Sequence, residues 1–163
     1  MSDEVTIEVV SEQADVDWGE LHRLLNACFA YMQGHVDPPS SLIKMSVEDL
    51  KRKAQVETLI VARQLGNLVG TAYCREEGAS IYIGKVAVAQ ELQGQGIGRR
   101  LVKRAEQLAT ERGCAALELE TRVELVENQT AFGRLGFVEV SRSAHKGYPQ
   151  PTSVRMRKLI GGW

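Results

Sequence analysis

The residues best suited to chemistry form a glycine-rich turn at positions 93–98, with the sequence Gln-Gly-Gln-Gly-Ile-Gly. A short apolar run, residues 86–89, precedes the turn, and an amphipathic pattern follows it, which predicts the order strand, turn, helix. The first N–H groups of a helix have no partner within it, and the helix dipole favours negative charge there. The alternating glycines leave the backbone open to a phosphate, and Arg99 and Arg100 can add charge-assisted contacts. The turn is therefore a candidate anion site.

Three nucleotide sites and one purely structural interpretation compete for this turn. A Walker loop requires Gly-Lys-Ser/Thr at its end, and the sequence has none here. A Rossmann fingerprint requires its third glycine where Arg99 stands. The remaining nucleotide site is a turn that cups the pyrophosphate of coenzyme A. A glycine turn that merely starts a helix is the alternative without a ligand.

Candidate proton acceptors follow in a predicted strand at residues 116–121. Glu118 and Glu120 share one face of that strand, and either could accept a proton from a substrate amine, directly or through water. A solvated strand face is the alternative. Arg122 stands at the strand end, where substrate-facing residues often lie, although a surface arginine is the simpler interpretation.

The loop at residues 144–151 holds two further candidates. His145 could act as a base near neutral pH, and Tyr148 could donate a proton. A lone histidine in a loop is more often only exposed.

Hydrophobic periodicity and breaker residues predict the elements that position these groups. They predict strands at residues 5–10, 58–63, 68–75, 80–89, 116–121, 137–141 and 153–159. They also predict helices at 16–29, after Ser46, after Gly98 up to Gly113, and at 125–135. This order predicts a mixed α/β (α+β) domain with a largely antiparallel front half and a crossover helix in the middle.

The composition excludes several classes of function. The 163 residues suit one domain, residues 1–163, and 20 Lys and Arg against 21 Asp and Glu argue against broad binding to nucleic acid or anionic membrane. The three widely spaced cysteines predict reduced core thiols, and no His/Cys/Asp cluster has ligand spacing, so we expect no metal. The acidic start lacks an apolar segment and no run is long enough to span a membrane, so we expect a cytoplasmic protein.

The turn and the strand before it resemble the acetyl-CoA motif of the GNAT superfamily of N-acetyltransferases. Gln93, Gly96 and Gly98 fill the family pattern Gln/Arg-x-x-Gly-x-Gly/Ala. Residues 132–139, Phe-Gly-Arg-Leu-Gly-Phe-Val-Glu, resemble the second motif of the family, and residues 154–159 resemble its ending. The predicted order of elements matches the family fold, so the resemblance covers nearly the whole chain.

The resemblance implies a mostly antiparallel sheet of about seven strands flanked by about four helices, with a splayed central strand pair. It implies direct attack of a primary amine, on a small molecule or a peptide, on the thioester of acetyl-CoA. The residues it implies in cofactor binding are Val86, Ala87, Val88, Gln93, Gly94, Gln95, Gly96, Ile97, Gly98, Arg99, Asn128 and Phe132. The alternative is a regulatory domain or pseudo-enzyme that binds acyl-CoA without turnover.

The chain departs from the family at the residue usually credited with protonating the leaving thiolate. The family often places a tyrosine there, and this sequence has Phe132, four residues after Asn128. Phenylalanine cannot donate a proton. We therefore predict Glu120 as the base, and Tyr148 or a water as the acid unless the thiolate leaves unaided.

Two further expectations follow from the resemblance. Tyr31, His35 and Asp37 lie in the region that shapes the acceptor pocket of GNAT proteins. The family often pairs through its C-terminal strands, so a homodimer involving residues 159–160 and Trp163 is expected; a monomer with this tail on its own core is the alternative.

Overall fold

The computed structural model describes residues 4–30, 35–39 and 45–160, and within these ranges the chain forms seven strands and four α-helices. The strands are β1 (Val5–Val9), β2 (Thr58–Gln64), β3 (Asn67–Glu77), β4 (Ser80–Val88), β5 (Ala116–Arg122), β6 (Val138–Ser143) and β7 (Ser153–Leu159). The helices are α1 (Trp18–Phe29), α2 (Val47–Val56), α3 (Ile97–Glu111) and α4 (Val126–Arg134). The predicted fold class and order of elements are confirmed, with boundaries that differ by a few residues. None of the helices in the described ranges is long and apolar enough to cross a membrane.

All strands form one sheet in the order β1-β2-β3-β4-β5-β7-β6. The pair β4–β5 is parallel and α3 is the crossover between its strands, while the other neighbours run antiparallel. β4 and β5 pair only where residues 80–82 meet residues 116–118. Beyond these pairs the two strands diverge, which is the splay that the resemblance implies.

Local signals explain where the helices and the first hairpin begin. Asp17 accepts a hydrogen bond from the N–H of Glu20 at 3.0 Å and caps α1. Ser46 and Asp49 form a reciprocal capping box at the start of α2. Leu65 and Gly66 both have positive φ, 53° and 82°, which is the backbone of a tight turn between β2 and β3.

The sheet is covered on both faces. On one face α3 buries Ile97, Leu101 and Ala105 among residues from β2 to β5 and β7. On the other face α1 buries Leu21 and Leu25. Each fully buried aliphatic side chain stabilises the fold by about 1.5–3 kcal/mol. Packing on both faces therefore fixes the N-terminus of α3 beside the end of β4.

A β-bulge interrupts β4 at Lys85. Thr71 pairs with Ala87 but Tyr73 pairs with Gly84, so β4 has one residue more than β3 between these pairs. Lys85 takes a φ of 52°, which is rare for a residue with a Cβ and costs about 1–3 kcal/mol. A bulge bends the strand and increases its twist. It lies where β4 leaves β5.

Candidate active site

The glycine turn and the start of α3 form the anion-binding geometry that the sequence predicts. Gly94 and Gly96 have φ values of 85° and 87°, which only glycine adopts without strain. The Arg100 N–H donates to the Gly96 carbonyl at 3.1 Å and makes the first bond of the helix. The N–H groups of the three residues before Arg100 therefore have no intrahelical partner. The side chains of Arg99 and Arg100 are exposed beside them.

Gln93 ties this turn to the end of β4. Its Nε2 donates to the Val88 carbonyl at 3.1 Å, and the Cys28 thiol donates to the same oxygen at 3.2 Å. Burial raises the pKa of Cys28, which keeps it a neutral hydrogen-bond donor. The Ala89 N–H pairs with β3, so alternation along the strand turns the backbone groups of Val88 and Val86 away from β3. Since the Val88 carbonyl already has two donors, its N–H and the groups of Val86 are the ones open to a ligand.

Two cavities meet in the splay between β4 and β5. The larger cavity, about 820 Å³, runs from Gln93 along β4. The smaller cavity, about 360 Å³, lies between the diverging strands. Five residues line both cavities: Phe29, Val86, Leu125, Asn128 and Phe132. The cavities thus form one continuous path with a boundary where these side chains meet.

Helix α4 places Asn128 and Phe132 at this boundary. The Gln129 side-chain amide donates to the carbonyls of Arg122 and Val123, at 3.2 and 3.1 Å, and holds α4 against the end of β5. The spacing of four residues puts Asn128 and Phe132 on one face of α4, as the sequence predicts. Phe132 has no polar atom, so it contributes shape but no proton to the boundary.

The two candidate carboxylates have different surroundings. Glu118 is buried between Arg155 at 2.6 Å and Arg157 at 2.8 Å. Burial opposes its ionisation, but the hydrogen bonds from both arginines outweigh burial and lower its pKa. Glu120 lines the smaller cavity, with one oxygen 3.3 Å from Arg155. Of the two carboxylates, Glu120 is therefore the one that is open to the cavity.

The loop between β6 and β7 brings His145 to the smaller cavity but not Tyr148. His145 lines the cavity, and its Nδ1 contacts the hydroxyl of Thr152. The Tyr148 hydroxyl donates to Asp37 at 2.6 Å, and this hydrogen bond raises the pKa of Tyr148. Tyr148 does not appear among the residues that line either cavity. Its role as an acid stays a prediction, and it requires the hydroxyl to leave Asp37.

Residues 35–39 lie beside the site. Arg122 donates to the carbonyls of Pro38 and Pro39 at 2.6 and 3.3 Å, and the Asp37 N–H donates to Glu124 at 3.1 Å. His35 lines the larger cavity. Tyr31, predicted in the same region, lies outside the described residues.

The structure also brings to the smaller cavity basic residues that the sequence analysis missed. Lys53 from α2, Arg75 from β3 and Lys85 from the bulge line it, together with Arg122. No motif connects them, because they come from separate elements. Among the described residues, no group of three or more His, Cys, Asp or Glu side chains is arranged to hold a metal ion.

Comparison with protein families gives a match to the model described as the acetyltransferase (GNAT) family, over residues 18–137. The N-alpha-acetyltransferase MAK3 of Arabidopsis thaliana is 33% identical over 84 residues, 49% of this chain and 44% of that protein. The thialysine N-epsilon-acetyltransferase of Bos taurus is 27% identical over 128 residues, 68% of this chain and 72% of that protein. The chain thus spans less than half the length of the plant relative.

Solved structures share the fold. The ribosomal-protein-S18-alanine N-acetyltransferase of Escherichia coli superposes with a TM-score of 0.72 and 19% identity, covering 98% of this chain and 96% of that one. A Bacillus anthracis strain Ames protein in complex with acetyl coenzyme A superposes with a TM-score of 0.60 and 20% identity, covering 64% of this chain and 63% of that one.

Proposed function

Because the chain belongs to the GNAT acetyltransferase family, we propose that it transfers the acetyl group of acetyl-CoA to a primary amine of a small molecule or peptide. The observation that carries this proposal is the pair of cavities that meet in the β4–β5 splay, below a glycine turn and an open helix N-terminus. The two relatives described above are N-acetyltransferases by name, which supports transfer to nitrogen.

The cofactor occupies the larger cavity in this proposal. Its pyrophosphate lies against the amides of residues 94–99, where the helix dipole favours negative charge by about 0.3–1 kcal/mol. The exposed Arg99 and Arg100 add charge-assisted hydrogen bonds. The pantetheine arm follows β4 and bonds to the open backbone groups of Val86 and Val88. Its thioester then reaches the boundary formed by Phe132.

The amine enters from the smaller cavity and attacks the thioester carbon directly. Glu120 takes the proton of the ammonium, directly or through a water, and so frees the nitrogen lone pair. A carbon–nitrogen bond forms, the carbon–sulfur bond breaks, the thiolate of coenzyme A leaves, and the second proton of the nitrogen passes to the thiolate or to water. Holding both reactants in contact across the boundary supplies most of the rate acceleration of this step. The thiolate needs little help, since a thiol has a pKa near ~8.5.

Cofactor binding is tested by substituting glutamate for each of two glycines that flank α3 and have similar backbone conformations. Gly96 and Gly113 flank the helix, both with positive φ and with nothing within 4 Å of an added Cβ. Gly96→Glu should abolish acetyl-CoA binding in calorimetry, because it puts bulk and negative charge where the pyrophosphate lies. Gly113→Glu carries comparable backbone strain far from the turn and should bind like wild type. Absence of binding by folded wild type, or equal binding by both variants, contradicts the proposed cofactor site.

Turnover separates an enzyme from an acyl-CoA-binding regulatory domain. Release of free thiol from acetyl-CoA should rise on addition of at least one amine from a panel of amino acids, polyamines, aminoglycosides and peptide N-termini. Tight acetyl-CoA binding without thiol release for any of them would favour the regulatory domain.

A homodimer and a cytoplasmic location stay predictions. The edge strand β6 and its neighbour β7 expose apolar side chains, with Val138 63% and Leu159 76% exposed. These supply apolar contact area for a second copy, while Trp163 lies outside the described residues. Light scattering at working concentration should give twice the monomer mass, and a monomer mass alone would reject the dimer.

A further inference from the structure

The smaller cavity is lined mainly by positively charged side chains, which is unexpected for a site that binds a protonated amine. Lys53, Arg75, Lys85 and Arg122 line it, against the single carboxylate of Glu120. A protonated amine entering such a cavity is repelled unless something in the cavity or in the substrate compensates for these cations. The charge of this lining is therefore informative about the acceptor.

An ion-pair network accounts for part of this charge. Four carboxylates around the cavity each have a basic partner: Glu57 with Lys53 at 2.7 Å, Glu77 with Arg75 at 2.6 Å, Glu118 with Arg157 at 2.8 Å, and Glu120 with Arg155 at 3.3 Å. Within the described ranges, Lys85 and Arg122 belong to no ion pair. Among the described residues, two cationic side chains thus remain for a ligand.

Arg122 is held in position without being neutralised. Its guanidinium donates to the main-chain carbonyls of Pro38 and Pro39, which are uncharged acceptors. Asp37 and Glu124 lie nearby, but Asp37 accepts from Tyr148 and Glu124 accepts from the Asp37 N–H. Neither carboxylate forms an ion pair with Arg122. The arginine is therefore fixed at the cavity with its charge available.

Lys85 is held at the cavity by a strained backbone. Its φ of 52° occurs within a bulge, and such strain persists where the surrounding structure imposes it, often at functional sites. The side chain is half-buried; burial, with the charge of Lys53 as a smaller cause, lowers the pKa of Lys85, and the charge of Glu57 opposes this shift. An anion bound beside Lys85 would offset the effects of burial and of Lys53. The bulge thus places an ammonium group at the cavity, and a negatively charged ligand bound there would stabilise its charged form.

We propose that the acceptor is a small amine that also carries a carboxylate, and that Lys85 and Arg122 bind this carboxylate while the amine faces Glu120. This inference rests on the proposed function and narrows its substrate. A cavity of about 360 Å³ suits a molecule of amino-acid size rather than a folded protein segment. Charge-assisted hydrogen bonds from two cations to one carboxylate give both affinity and orientation.

Matched pairs of amines with and without the carboxylate test the proposal. Lysine and cadaverine form one pair, and β-alanine and ethylamine form another, since the members of each pair differ only by the carboxylate. The member with the carboxylate should have the higher kcat/KM in thiol release, by roughly 10-fold or more. Equal or higher kcat/KM for the amines without a carboxylate in both pairs overturns this inference and leaves the acetyltransferase function intact. Preference for an acidic peptide over every small amine likewise overturns it.

Substitutions at Lys85 test whether this residue causes the preference for amines that carry a carboxylate. Lys85→Gln should lower the ratio of kcat/KM within each pair by roughly 10- to 100-fold, mainly through KM for the carboxylate member, because a charged partner is lost. Lys85→Arg keeps the charge and should keep the preference. Lys103→Gln removes an exposed lysine of α3 outside the smaller cavity and should behave like wild type. A Lys85→Gln protein that folds by circular dichroism and retains the full ratio overturns the assignment.

The outcomes for the substrate and for the function are distinguishable. Acetyl-CoA binding without turnover of any amine removes the proposed function and this inference together. Turnover with the opposite preference removes this inference alone.

Discussion

Substitution by alanine should have opposite effects on stability at Gly96 and Gly98, although the two glycines lie only two residues apart in the same motif. Gly96 is the N-cap of α3 with a φ of 87°, whereas Gly98 lies within the first turn of the helix. A Cβ added at Gly96 meets nothing within 4 Å, and one added at Gly98 comes 3.9 Å from Val88, which is ordinary contact. Steric overlap is thus absent at both positions, and the backbone conformation decides the result.

The magnitudes follow from the backbone alone. An alanine in the left-handed region costs about 1–2 kcal/mol, partly offset by a less flexible unfolded chain, so Gly96→Ala should destabilise by about 1 kcal/mol. Alanine is favoured over glycine in a helix by about 0.5–1 kcal/mol, so Gly98→Ala should stabilise by up to that amount. For a chain of this length, 1 kcal/mol corresponds to a change in Tm of about 2–4 °C. The two variants should therefore differ by about 3–8 °C.

Thermal unfolding followed by circular dichroism, without ligand, measures this difference. Repeating it with saturating acetyl-CoA adds the same stabilisation to any variant whose affinity is unchanged. Gly98→Ala should keep this shift, since the family pattern admits alanine there. Equal Tm values for the two variants, or a less stable Gly98→Ala, would refute the assignment of backbone strain to Gly96 rather than to Gly98.

Three further predictions concern the remaining parts of the structure. Glu118→Gln should destabilise by about 1–3 kcal/mol at pH 7 because it removes the buried carboxylate that binds both Arg155 and Arg157. The pKa of Glu118 is lowered in the fold, so the stability difference between wild type and variant should hold above about pH 5 and disappear as pH falls through the folded pKa. Urea unfolding at a series of pH values measures it. Tyr148→Phe should lower kcat by roughly 10²–10⁴-fold if Tyr148 is the acid, with partial rescue by Phe132→Tyr; an unchanged rate leaves water or unaided departure. Leu65→Asn should raise stability by about 0.5–1 kcal/mol in thermal unfolding, since asparagine tolerates the positive φ of this tight turn better than leucine does. Little packing is lost, because the leucine side chain is exposed.

Local signals explain why much of the fold could be predicted from the sequence. Ser46 and Asp49 specify the start of α2 through contacts three residues apart, and Gly96 and Gly113 mark the ends of α3. The amphipathic pattern after the glycine turn likewise predicted α3. These signals depend on neighbours in the chain, so they can be seen without the tertiary structure.

The charged lining of the smaller cavity could not be predicted in the same way. Lys53, Arg75 and Lys85 come from three elements, and their proximity depends on the register of the sheet. Lys85 adds a second difficulty, because Gly84 lies beside the bulge but the positive φ falls on Lys85, a residue with a Cβ. The insertion of β7 between β5 and β6 also depends on tertiary pairing, and it brings Arg155 against Glu118 and Glu120.

The same positive charge bears on how the reaction proceeds without a tyrosine at Phe132. The demanding requirement of direct acyl transfer is a neutral amine, because an ammonium has no lone pair with which to attack. In the proposed reaction Glu120 removes the proton of the ammonium. The carboxylate of the substrate, bound by Lys85 and Arg122, would supply the binding that repulsion between these cations and an ammonium would otherwise remove. The departing thiolate needs little help, since a thiol has a pKa near ~8.5. A phenylalanine at the boundary is compatible with turnover for that reason.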